Sequence, residues 1–357
     1  MTDAPAPRWL QPETHTDRRP RLRARARALS VVRAWFANRD FVETECGVLQ
    51  TSPGAETHLH AFETAILSSD RSATRLYLHT SPEFAAKKLL AAGETQIVDI
   101  ARVFRNAERS ALHAPEFTLV EWYRAHSPYE AVIADCLALI AVVGAACGAN
   151  AFRFRDRVAA LDAAPVRISA ADAFARFAGI DLLGAVSDTG VGDGAAFKHQ
   201  AEAAGVACAD DDGWSDVFAR VLAERVEPNL PTDRPVVLDR YPAPEAALAR
   251  RSADDPRTAE RFEVYLCGVE LANGFGELTD AEEQRARLEA AMAEKARLYG
   301  GAWPVDAAFL DAVGRMPPAS GVALGFDRLV MLATGADHID QVIWTPTPGP
   351  GGYYDGR

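Results

Sequence analysis

Two arginines are set apart by their surroundings. Arg105 ends the run Val103-Phe104-Arg105-Asn106, and Arg328 lies within Gly325-Phe326-Asp327-Arg328-Leu329. An unpaired cation in such apolar sequence is costly to bury. Two such guanidinium groups facing one cavity would make a site for a triphosphate. Each is planar, keeps its proton and can grip two anionic oxygens. A surface salt bridge from Arg105 to Glu108 or Glu116 is the plain alternative for that residue. Arg328 follows a turn at a helix start, where the helix dipole and free N–H groups favour an anion.

The elements that must position these arginines follow from the local pattern. Residues 96–105 and 116–123 read as two β runs joined by a polar loop, which leaves Arg105 at a strand end. Residues 321–325 are a glycine-bounded strand and 326–334 a helix. Residues 261–267 and 269–274 alternate as strands, with Glu263 and Glu270 on neighbouring runs. Ser81-Pro82-Glu83 reads as a helix start, Ser81 the N-cap and Pro82 the first position; the helix runs through Lys87 and Lys88. Residues 20–39 read as a helix, 41–45 as a strand, and 58–64, 74–79 and 236–239 as short strands. Residues 128–147 are a strongly apolar helix, and 282–299 an amphipathic one ended by Gly300-Gly301. Antiparallel strands with segregated helices predict an α+β architecture. Residues 1–17, Pro-rich and polar, are expected to be disordered. Residues 18–345 are expected to form one catalytic domain, with 168–228 a helical stretch inside it, and 346–357 a C-terminal tail.

Taken in order, these segments resemble the class II aminoacyl-tRNA synthetases. The Arg105 run together with His113-Ala114-Pro115-Glu116-Phe117-Thr118-Leu119-Val120-Glu121-Trp122-Tyr123 is similar to motif 2 of that family. Gly321-Val322-Ala323-Leu324-Gly325-Phe326-Asp327-Arg328-Leu329 is similar to motif 3. Between them, Glu263-Val264-Tyr265-Leu266-Cys267-Gly268-Val269-Glu270-Leu271-Ala272-Asn273-Gly274-Phe275-Gly276-Glu277-Leu278 resembles the lysine-type branch, above all its short members without tRNA-binding parts. The resemblance covers residues 20–335. It implies the family's catalytic fold, an antiparallel sheet flanked by helices. It also implies ATP and Mg²⁺, a lysine-type amino acid activated as an acyl-adenylate, and transfer to a lysine ε-amine on elongation factor P.

Residue by residue, the resemblance makes Arg105 the holder of the α-phosphate and substrate carboxylate, and Arg328 that of the γ-phosphate. Asn106, Ala107, Ala114, Glu270, Leu271 and Gly325 complete the ATP site, Gly325 letting the adenine lie against backbone. Glu263 and Glu270 match the Mg²⁺ carboxylates; two carboxylates plus phosphate oxygens suffice for that ion. Ser81, Pro82, Glu83, Glu121, Tyr123, Asn273, Glu277 and Ala323 match the amino-acid pocket. An ammonium offers three donors and needs acceptors around it, and a neutral side chain would leave buried carboxylates unpaired. Ala323 stands where lysyl enzymes carry glycine; the short relatives share the alanine and take β-lysine. Three positions depart from the pattern. Ala107 replaces a glutamate, with Glu108 following; Ala114 replaces a polar residue; Gly47 replaces a proline after the motif 1 strand. Motif 1 implies a homodimer. A truncated tRNA-charging enzyme and a non-catalytic nucleotide-binding paralogue are the alternative readings. The first would need an anticodon-binding part, and no candidate segment is expected on either side of the motifs.

Bulk properties exclude several classes. The chain has 357 residues, 48% hydrophobic and 25% charged, an ordinary globular composition. Its net charge of −12 argues against general nucleic-acid binding. The stretch from Arg18 to Arg39 is the exception, with eight arginines and no acid; it reads as a solvated helix face or as a surface that docks an acidic macromolecule. No run approaches 18 apolar residues and no secretion signal is evident, so no membrane span and a cytoplasmic location are expected. Cys46, Cys136, Cys147, Cys208 and Cys267 are scattered without a C-x-x-C pair, which argues against zinc and against disulfides.

Overall fold

A computed structural model describes residues 8–348. Eight strands form its main sheet, in the spatial order Val42–Thr44, Gln96–Phe104, Glu116–Ala125, Ala319–Gly325, Val269–Gly276, Thr258–Leu266, Val236–Pro242, Val166–Ser169. The six inner strands run antiparallel to one another. The two short edge strands pair in parallel. With helices on the sheet, this is the α+β architecture that the sequence predicts.

Register decides which residues share a face, because directly paired residues point the same way. One row runs Val98, Trp122, Val322, Gly274, Phe262, and the next runs Val120, Leu324, Ala272, Val264, Val237. This face is apolar. It packs against the helices Pro12–Ala37, Tyr129–Cys147 and Phe326–Thr334 in the largest core of the protein. Trp122 is fully buried there, with the Phe36 ring 5.3 Å away. The row between those two runs Asp99, Glu121, Ala323, Asn273, Glu263 on the other face. One side of the sheet thus holds the fold together, and the other is polar.

Smaller cores frame the polar face. Phe84 stacks on Phe309 at 3.8 Å, joining the helix Glu83–Ala91 to Ala307–Arg315, a helix the sequence does not announce. Within residues 168–228, the helices Ala170–Ala178, Gly194–Ala203 and Trp214–Val221 pack around Phe174, Phe197 and Phe218.

Four expectations need correction. The first helix starts at Pro12, so residues 12–17 are helical rather than disordered; residues 1–7 and 349–357 lie outside the described residues. The arginine-rich stretch is not one solvated face. Arg18 is buried and donates to the carbonyls of Asp340 and Ile343, Arg25 is buried against Asp327, and Arg33 pairs with Glu43. The strand expected over 58–64 forms later, at Glu63–Leu67, and His60 makes a single bridge to Asn106. Finally, Tyr129–Cys147 is long and apolar enough to cross a membrane by length and composition. Here it packs against both the first helix and the sheet, burying Val132, Cys136, Leu139 and Val143.

Candidate active site

The polar face has a carboxylate end and a guanidinium end. At the first, Glu121 is 2% exposed and both its oxygens are occupied. The Ser81 hydroxyl donates to Oε2 at 2.6 Å and the Tyr123 hydroxyl to Oε1 at 2.7 Å. Ser81 in turn accepts the N–H of Glu83 at 3.1 Å. The helix therefore begins one residue later than the sequence suggests, with buried Pro82 as its N-cap residue, while Ser81 still satisfies the first turn. Burial and the nearby charge of Glu83 push the Glu121 carboxyl up to about 8, against the pull of its two hydroxyl partners.

Glu83 and Glu277 converge on Lys87. The Lys87 ammonium lies 2.7 Å from Glu83 Oε1 and 2.7 Å from Glu277 Oε2. Burial alone would lower Lys87, but the two carboxylates outweigh it and hold the ammonium above the ordinary lysine range. Burial raises Glu277 to about 7, with Lys87 pulling it back and Glu83 pushing it up. Gly321 makes this crowding possible: a Cβ there would lie 2.3 Å from the Tyr123 ring and 2.6 Å from Glu277 Oε1. Ala323 sits beside Glu121 and Asn273 in the same row. The Asn273 amide donates to Glu263 at 3.4 Å, and its Oδ1 is buried without a partner.

At the other end Arg328 is fixed by backbone. It donates to the carbonyls of Glu270 at 2.9 Å and Leu112 at 3.2 Å, and its Nη1 lies 3.5 Å from Glu270 Oε2. Its Nη2 meets His113 Nε2 at 2.7 Å. A guanidinium only donates, so Nε2 accepts, and the proton sits on Nδ1, 2.7 Å from Ser110 Oγ. Burial lowers the His113 pKa, and Arg328 and Arg105 lower it further. Arg105 lies over the Phe117 ring at 5.3 Å and reaches the Thr80 carbonyl at 3.4 Å. Glu116, one of the two acids that could have held it on the surface, pairs instead with Arg102. Burial and Glu263 raise the Glu270 carboxyl, while Arg328 and Arg105 both lower it. The two arginines thus bear on the same carboxylate and the same imidazole.

Glu263 is 6% exposed and held by Arg261 at 2.8 Å and by the Tyr265 hydroxyl at 2.6 Å. One residue before Arg328, Asp327 accepts from Arg25 at 3.0 Å and from the Thr118 N–H at 2.7 Å. That tie fixes the helix carrying Arg328 to the strand that follows the Arg105 loop.

Some expected residues are placed differently. The Ala114 and Leu271 side chains belong to the main core, so only their backbone can face a ligand. Ala107 is exposed on the loop, in a left-handed conformation at φ 63°, its N–H held by Asn106 Oδ1 at 2.9 Å. Gly325 opens the Arg328 helix, with the Leu271 carbonyl 3.6 Å from where a Cβ would stand. Sequence reasoning missed Lys87 and His113. The first carried a signal, since it stands four residues after Glu83 on an expected helix.

Residues 5–348 match the family described as tRNA synthetases class II (D, K and N). The chain belongs to that family. Among its relatives, a protein named elongation factor P–(R)-beta-lysine ligase from Haemophilus ducreyi is 36% identical over 322 residues, 89% of this chain and 91% of that protein. Proteins of the same name from Salmonella arizonae and Erwinia tasmaniensis are each 38% identical, over 91% and 89% of this chain and 94% and 92% of theirs.

Proposed function

We propose that this chain activates a lysine-type amino acid, (R)-β-lysine, with ATP and transfers it to the ε-amine of a lysine on elongation factor P. The division of one sheet face into a guanidinium end and a carboxylate end carries this reading. It matches the two ends of the reaction, a polyphosphate and a diamino acid. The name shared by the similar proteins supports the acceptor and the isomer.

In the first step the substrate carboxylate attacks the α-phosphorus, the bond to the β-phosphate breaks, and pyrophosphate leaves. Arg105 holds the α-phosphate and the entering carboxylate, and Arg328 the γ-phosphate. Both are set in advance, so they stabilise the developing charge without reorganising. Neutral His113 fixes the orientation of Arg328. Asn106 and Gly325, with backbone of Ala107, Ala114 and Leu271, border the nucleotide. Ser81, Pro82, Glu83, Glu121, Tyr123, Asn273, Glu277 and Ala323 enclose the diamino acid. In the second step the acceptor amine, neutral when it attacks, forms the amide as AMP leaves and gives up a proton.

Glu263 and Glu270 fit a hard dication such as Mg²⁺. The charge of Glu263 opposes the ionisation of Glu270. Among the described residues no group of three or more His, Cys, Asp or Glu side chains could hold a metal. Phosphate oxygens and water would complete the shell. When bound, the ion would neutralise phosphate charge.

The test is the intact mass of elongation factor P after incubation with this chain, ATP and each lysine isomer. A mass increase of one lysyl unit, larger with (R)-β-lysine, is expected; tRNA charging with no change in the factor would refute the reading. Binding itself should move protons. With Glu121 near 8 and Glu277 near 7, part of the cage is protonated at pH 7. An incoming ammonium favours the ionised forms, so protons leave on binding, and the release shrinks as pH rises through about 8. Calorimetry at pH 7 should give binding enthalpies that change with the ionisation heat of the buffer.

A further inference from the structure

The carboxylate end already contains an ammonium. Lys87 is 1% exposed, and its Nζ stands 2.7 Å from both Glu83 Oε1 and Glu277 Oε2. The Phe309 ring lies 5.9 Å from the same nitrogen, and Phe84 is stacked on that ring, so an apolar wall closes the side away from the carboxylates. When all three carboxyl groups are ionised, the state an incoming ammonium favours, Glu83, Glu121 and Glu277 bring three negative charges to this end of the sheet face, against the one positive charge of Lys87. The other charged groups nearby do not cancel the rest. Arg250 bears on Glu277, but its own partner is Glu260 at 2.6 Å. Asp99 bears on Glu121 from the next strand, and Glu83 raises the Glu56 carboxyl in the loop beyond. The Tyr123 hydroxyl donates a hydrogen bond to Glu121 and adds no charge.

A deficit of two charges suits an amino acid with two ammonium groups whose carboxylate lies toward the guanidinium end. We propose that Lys87 is the resident counter-ion of the amino-acid pocket: it keeps Glu83 and Glu277 as oriented carboxylates and sets the residual charge that two substrate ammonium groups neutralise. The inference rests on the function proposed above and deepens it. Lys87 acts through Glu83 and Glu277, so it is a positioning residue that governs specificity. A neutral side chain in its place would leave three carboxylates repelling one another at close range, and protons would satisfy them instead. Such a pocket discriminates less against an uncharged side chain.

The experiment compares wild type, Lys87→Met and Lys87→Arg by ATP–pyrophosphate exchange with (R)-β-lysine, α-lysine and norleucine, from about pH 6 to about pH 9. In Lys87→Met the acid limb of kcat/KM for the diamino acids should move up by about one pH unit, roughly a tenfold loss at pH 7. Preference over norleucine should fall in proportion, the KM for ATP should hold, and Lys87→Arg should keep the wild-type limb. An unmoved limb, or an equal rise in both KM values, would overturn the inference. Should Lys87→Met not fold, the wild type decides through its Lys87 side-chain ¹⁵N resonance. That signal is expected to stay charged across the same pH range and to shift with diamino acids but not with norleucine; indifference to diamino acids refutes the role. A wild type that activates none of these amino acids removes the proposed function and this inference together. An active wild type with an unmoved limb removes this inference alone.

Discussion

Arg105→Ala is expected to slow ATP–pyrophosphate exchange roughly 10²–10³-fold, about 2.7–4 kcal/mol, the loss usual when one preorganised charge donor is removed from a reacting centre. The structure gives Arg105 little else to do. It is half-buried at the end of the Gln96–Phe104 strand, with one long bond to the Thr80 carbonyl and a ring contact with Phe117. Among the described residues no carboxylate forms an ion pair with it, and nearby Glu116 is held by Arg102. Folding stability should therefore change by well under 1 kcal/mol while the rate collapses. Arg105→Lys restores charge but not the planar fork, so it should recover only part of the rate. Thermal melts beside the exchange assay separate the two effects. An unimpaired rate in Arg105→Ala would remove it from the reaction and leave Arg328 without its counterpart.

That arginine was legible because its strand is. The run Thr118-Leu119-Val120-Glu121-Trp122-Tyr123 alternates between the apolar face, with Val120 and Trp122, and the polar face, with Glu121 and Tyr123. A carboxylate in a buried strand is expensive unless something answers it, yet Glu121, Glu263 and Asn273 stand out in the sequence through the family motifs they match rather than through that cost. The first helix was less legible. Pro20 looks like a first-turn proline, because an interior proline breaks a hydrogen bond. The helix runs through it from Pro12, and Arg18, two residues earlier, is tied to carbonyls of Asp340 and Ile343 more than 300 residues on. Tertiary contact overrides the local signal there. The arginine-rich stretch misleads for the same reason, since charge counting cannot tell Arg25, buried on Asp327, from Arg23, exposed. Ala114 and Leu271 show the opposite limit: a motif position gives proximity to a ligand, but only packing says that the side chain turns into the core.

Lys87 and Glu277 define the second large effect. Glu277→Ala should destabilise the protein by about 3–5 kcal/mol, the range for removing one partner of a buried ion pair, and should abolish selection for a diamino acid. The burial decides the magnitude. Glu277 and Lys87 are each 1% exposed. The pair Arg75–Glu63 is more than half exposed, and losing it should cost about 0–1 kcal/mol. In Glu277→Ala the Lys87 ammonium keeps only Glu83, which is 13% exposed and holds it from one side. The deficit should therefore be greatest where lysine is charged and should shrink as pH rises toward the ordinary lysine pKa, because a desolvated ammonium can then lose its proton. Removing both charges, in Lys87→Met/Glu277→Leu, should recover much of the stability, since a buried pair replaced by apolar groups of similar volume is often neutral. It should recover none of the selectivity, because the pocket then lacks an acceptor beside Gly321. Urea unfolding at neutral and alkaline pH measures the first effect, and exchange with (R)-β-lysine against norleucine the second. A Glu277→Ala variant as stable as wild type at pH 7 would mean that Lys87 reaches water or another carboxylate, and that the cage is looser than these distances allow.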